Sequence, residues 1–142
     1  MIALIERTYP GRILFTNRAK TDAAKCKLRD PNAAWRCLRA MATHLHSLHF
    51  GQKLPLREVA RQFQNLVPFE LATTESETTM NNKKLAKQRK AIYKGEERDF
   101  SPHVKFGRDP GNSLRVHYFA DNDDKLIVID RCGDHLDLKG TN

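Results

Sequence analysis

Three short segments, Phe100-Ser-Pro-His-Val-Lys-Phe106, Leu114-Arg-Val-His-Tyr-Phe119 and Lys125-Leu-Ile-Val-Ile-Asp-Arg131, decide how this chain folds. They are rich in β-branched and aromatic residues, and the links between them, residues 107–113 and Asp121-Asn-Asp-Asp124, carry turn chemistry. They read as consecutive antiparallel strands. Side chains alternate across a strand, so Leu114, Val116 and Tyr118 share one face while Arg115, His117 and Phe119 share the other. If His103 and Lys105 share a face in the same way, two adjacent strands each offer a histidine beside a cation. In the third strand Leu126, Val128 and Asp130 oppose Ile127, Ile129 and Arg131. Both of its faces are largely apolar, as in a central strand. His135 follows the bend at Cys132-Gly133 and could fold back towards the histidine face.

Working back towards the N-terminus, Asn81 to Ile92 reads as a basic helix with Leu85 and Ile92 turned inward, closed by the turn at Tyr93-Lys94-Gly95. Its cations Lys87, Arg89 and Lys90 suit contact with a phosphate backbone. Leu56, Val59, Ala60, Phe63 and Leu66 form a helical stripe after Pro55. Ala34, Leu38, Met41, Leu45 and Leu48 form a longer one, entered through an Asp30 N-cap with Pro31 at the first helical position. Gly51 stands where a left-handed C-terminal cap is expected. Two β-prone runs, Met1 to Thr8 and Arg12 to Thr16, flank Tyr9-Pro10-Gly11 and read as an N-terminal hairpin.

The 142 residues suit a single domain, 1–142. Its expected class is α+β, helices packed against a small curved antiparallel sheet, with the hairpin and helices of 1–72 as an N-terminal extension. The formal charge of +8 favours an anionic partner, nucleic acid above all. The three cysteines, Cys26, Cys37 and Cys132, form no CxxC pair and argue for reduced thiols and a cytoplasmic setting. The opening Met1-Ile-Ala-Leu-Ile-Glu6 lacks the basic start of a secretory signal, and no run is long enough for a membrane span.

Cleaving RNA without a metal needs a base for the 2′-hydroxyl proton, an acid for the leaving 5′-oxygen and fixed cations for the phosphorane. His103, His117 and His135 are the candidates for proton transfer, since imidazole titrates near neutrality. Lys105, Arg115 and Arg131 are the candidates for charge stabilisation. His44, His46 and His49 invite a metal reading, but His44 and His46 lie about 200° apart on a helix and no third ligand is near. No metal and no cofactor is expected. There is no Gly-rich phosphate loop and no Gly-x-Ser-x-Gly elbow.

Residues 83–138 resemble the C-terminal part of the RelE/HigB-like toxin superfamily. The likeness runs through the basic stretch, Phe100-Ser-Pro-His103-Val-Lys105, Leu114-Arg115-Val-His117-Tyr-Phe and Ile127-Val-Ile-Asp-Arg-Cys-Gly-Asp-His135-Leu136, of which the closing Gly-x-His-Leu is the most telling part. The resemblance implies a RelE-like sheet and an mRNA endonuclease that acts on the ribosome and is held off by a cognate antitoxin. It leaves residues 1–72 unaccounted for. The chain also lacks the Tyr that some members carry after the last strand, so a histidine would take that role or the branch has changed chemistry. Relatives that poison gyrase share the fold without cutting RNA, which leaves open a topoisomerase inhibitor or a non-catalytic binding module using the same basic face.

Overall fold

The computed structural model describes residues 1–74, 80–109 and 111–134. In chain order the helices are α1 Ile2–Thr8, α2 Asn17–Lys25, α3 Pro31–Ala40, α4 Leu56–Leu66 and α5 Lys83–Lys87. The strands are β1 Ile13–Phe15, β2 Glu70–Ala72, β3 Lys90–Tyr93, β4 Glu96–Asp99, β5 His103–Phe106, β6 Leu114–Asp121 and β7 Leu126–Gly133. Five strands form one mixed sheet in the order β1-β7-β6-β5-β2, and β3 and β4 form a separate hairpin. The class is α+β. Among the described residues, no helix is long and apolar enough to cross a membrane.

The three segments at the heart of the sequence are β5, β6 and β7, paired antiparallel in that order. Alternation sorts their side chains as expected. Val104, Leu114, Val116, Tyr118, Ile127 and Ile129 all enter one apolar cluster with Ile5, Cys37, Leu38, Met41, Leu45, Val59 and Phe63 from the helices. Phe100, Leu85 and Val128 are buried too, but apart from that cluster. They belong to the opposite, outer face.

The N-terminal hairpin does not form. Residues 2–8 are helical, with Ile5 fully buried and Ile2 packed on the same cluster, one helical turn apart. Short runs of β-branched residues satisfy either period, and here core contact at a spacing of three wins over propensity. Ile13–Phe15 keeps its strand character but pairs with β7, in parallel, Ile13 opposite Ile127 and Phe15 opposite Ile129. The sheet is therefore mixed and not purely antiparallel. The largely apolar β7 is an interior strand because β1 covers its second edge.

The basic helix of 81–92 is also cut short. Asn82 caps α5 by accepting from the Lys84 and Leu85 amides, Leu85 turns inward, and the helix ends at Lys87. Residues 90–93 are drawn into a strand by the tight turn at Lys94-Gly95, whose backbones both adopt positive φ (53° and 81°) as a hairpin of this hand requires. Ile92 consequently points outward, 70% exposed.

The long helix begins as predicted, the Asp30 carboxylate accepting from the Ala33 amide with Pro31 behind it. It runs on past Ala40 through two wider π-helical turns, Met41–Leu45 and Ser47–Gly51. Gly51 is not the left-handed residue; Lys53, at φ 54°, is. A different glycine is indispensable. Gly107 turns the chain after β5 at φ 73°, and a Cβ there would lie 1.9 Å from the Asn112 carbonyl oxygen.

Candidate functional site

On the outer face, pairing aligns the side chains of three strands into rows. His103 faces His117 on β6, and His117 faces Arg131 on β7; one step along, Lys105 faces Arg115. Strict alternation would have sent Arg131 to the core with Ile129. A bulge prevents it: Tyr118 pairs with Ile129 but His117 with Arg131, so Asp130 is the extra residue and Arg131 is returned to the histidine side. Cys132 takes the core position instead.

The two imidazoles stack, ring centroids 4.4 Å apart and planes 25° from parallel. Each Nδ1 lies 2.8 Å from a backbone carbonyl, that of Ser101 for His103 and that of Phe100 for His117. A carbonyl only accepts, so both Nδ1 atoms carry a hydrogen, which leaves Nε2 as the atom of each ring that can take up a proton. His117 is 2% exposed and His103 6%. Burial first, then the neighbouring His103, pushes the His117 pKa well below its usual range; Arg89 and Arg131 add to this against the Phe100 carbonyl. His117 is neutral at pH 7.

The cations are placed very differently from one another. Arg115 donates Nη1 to the Phe106 and Leu114 carbonyls at 2.8 and 2.9 Å and Nη2 to Gly107 at 2.9 Å, which pins the start of the β5–β6 loop. Arg131 forms a bidentate pair with Asp22 of α2 at 2.7 and 3.1 Å. Lys105 sits 3.8 Å from Glu70. Lys87 is exposed, and Lys90, also exposed, lies 3.9 Å from Glu97. Arg89 is fully buried and donates to the Leu85 carbonyl at 2.8 Å. Its own carbonyl accepts from the Phe100 amide at 2.7 Å, which joins Arg89 to the residue whose carbonyl holds His117. His135 lies outside the described residues.

Three residues that no local pattern marks hold this layer in place. Asp130, 2% exposed, accepts from Thr16 at 2.8 Å and from Arg18 Nε at 2.9 Å. Arg18 also reaches the Gln88 and Lys90 carbonyls, both at 3.2 Å, and so ties α2, β7 and the start of β3 together. Asp22 binds the Cys132 amide as well as Arg131. These partners are separated by 70 to 114 positions in sequence, which is why spacing gives no hint of them.

The histidines of the long helix disperse. His46 Nε2 lies 2.8 Å from the Lys125 carbonyl, and His49 Nε2 lies 2.9 Å from the Tyr118 hydroxyl. Burial, then His46, lowers the His49 pKa to about 4. Among the described residues no trio of His, Cys, Asp or Glu is grouped to hold a metal ion.

The chain matches no family model, no curated protein and no solved structure. The chemistry of the histidine row therefore rests on its own geometry.

Proposed function

We propose that the protein is a metal-independent endoribonuclease of RelE-like fold, a toxin or defence effector that cleaves mRNA in the cytoplasm, free or on the ribosome. One observation carries the reading: a stacked histidine pair in register with an arginine across three adjacent strands. Neutral His117 is fit to accept a 2′-hydroxyl proton through Nε2, because its depressed pKa keeps the base form populated at pH 7. The 2′-oxygen then attacks the phosphorus, the P–O5′ bond breaks, and a proton goes to the departing 5′-oxygen. Two imidazolium ions 4.4 Å apart repel, so a proton gained by one ring favours delivery from the pair to the leaving group. Arg131 and Lys105 flank the rows where phosphate charge would develop. His103 and His117 are buried, so RNA reaches the rings only when the residues covering them move aside.

That burial favours a second reading, a basic module that binds nucleic acid or protein without turnover. Incubating RNA with wild type and with the His103→Ala/His117→Ala double variant, in chelator and with or without ribosomes, separates the two. Cleavage by wild type alone is the expected result. Equal cleavage by both, or by neither, sinks the nuclease reading. As a toxin the wild type should also arrest growth on expression, and a small neutralising partner should relieve the arrest.

A further inference from the structure

A cleft of about 760 Å³ opens beside the histidine row, lined by His49 and Phe50, the Lys53–Leu56 link, Asp99, Pro102, Tyr118, Phe119, Ala120, Asn122 and Lys125. Its position has a simple cause. Tyr118 and Phe119 are consecutive on β6 and point to opposite faces, yet both line it, so the cleft lies on the strand's edge and not on a face. That edge is open because β5 pairs with β6 only as far as His117. The Tyr118 amide makes the last bond towards β5, donating to Pro102 at 3.0 Å. By alternation the next groups directed the same way are the N–H and C=O of Ala120, one donor beside one acceptor.

The walls are aromatic on both sides. On the core side His49, Phe50 and Tyr118 pack ring to ring, with His49 and Tyr118 centroids 5.5 Å apart. On the outer side Phe119 is backed by Phe100, Tyr93 and the Arg98 guanidinium. Lys53 and Lys125 stand exposed at the rim, and among the described residues neither is ion-paired. Both hold positive φ, 54° each.

We infer that this cleft binds a nucleoside phosphate unit, the base between the aromatic walls with its donor–acceptor edge on Ala120, the phosphate between Lys53 and Lys125. Flat π-faces, one amide-like edge and a pair of ammonium groups match that chemistry together. An extended peptide would also use a strand edge, but this one spans only Tyr118 to Asp121 before the turn closes it. The choice of RNA as the source of the unit rests on the proposed nuclease function; the cleft itself does not. The carbonyl that holds His117 belongs to Phe100, whose ring backs Phe119, so a base seated here lies next to the histidine row.

The test is titration of full-length protein with adenosine and uridine 5′-monophosphates, ribose 5-phosphate and a short single-stranded RNA, monitored at the Ala120 amide by NMR. Saturable shifts with the mononucleotides and RNA, and none with ribose 5-phosphate, are expected. Lys53→Gly and Lys125→Gly, which keep the positive φ, should each weaken mononucleotide binding severalfold. An equal response to ribose 5-phosphate, a response only to an unrelated extended peptide, or no saturation by millimolar nucleotide overturns the proposal. Wild type that binds mononucleotides but leaves RNA uncut sinks the nuclease reading alone, and wild type that cuts RNA but binds no mononucleotide sinks the cleft alone.

Discussion

The two faces of the sheet reach the same degree of burial by opposite means. On the inner face Val116, Tyr118, Ile127 and Ile129 disappear under helices through apolar packing. On the outer face His103, Arg115, His117 and Asp130 are as deeply covered, yet they are polar, and each is bonded to a carbonyl or an ion partner. Apolar packing tolerates approximate partners, whereas a buried polar group is costly unless its partner is present and aligned. The outer face is therefore the specific one, and the more sensitive to conditions.

Acid should test both faces most strongly. His117 on the outer face and His49 on the inner side both have folded pKa values below the ordinary 6.5, His49 at about 4. Above pH 6.5 both are neutral folded or unfolded and cost nothing; as pH falls, the unfolded chain binds protons that the folded one refuses. Stability should thus drop between pH 6.5 and about 4, by up to about 1.4 kcal/mol per pH unit for each histidine. Chemical denaturation at stepped pH checks it, and His117→Gln and His49→Gln should each flatten the slope. A flat profile in wild type would break the comparison.

Ile129→Ala, at a fully buried inner position, should cost about 3 kcal/mol by leaving a cavity. Asp130→Ala should cost about 2 kcal/mol, since it removes the acceptor of Arg18 Nε and of the Thr16 hydroxyl. Adding Arg18→Met to it should recover part of the loss, which truncating a second apolar neighbour of Ile129 would not. Urea midpoints of wild type and these four variants decide this. The smallest effect belongs to the exposed rim. Lys94 pairs with Asp121 and Asp124, but Lys94→Gly also relieves a positive φ, so its thermal midpoint should barely move. Asp121 itself, which burial would raise, is held at about 2 by Lys94 and Tyr93.

Where sequence reading succeeded, the information was local. The Asp30-Pro31 cap, the stripe from Ala34 to Leu48 and the Pro55 helix start depend on residues within a turn or two of each other. So does the split of Tyr118 from His117. Where it failed, contacts made outside the segment decided. Residues 2–8 became helix because Ile5 found the core, and residues 90–93 became strand because β4 was there to pair.

The candidate site divides along the same line. Sequence alone determined that β5 and β6 each carry a histidine and a cation on one side, because alternation is a property of the strand itself. It could not place Arg131 beside them, since the bulge at Asp130 exists only in the pairing of β7 with β6. Nor could it see that Asp22 would hold Arg131 and Arg18 would hold Asp130, or that an aromatic cleft would open where β5 stops. A period belongs to one segment; register, ion pairs and cavities belong to two or more, and only the folded chain brings those together.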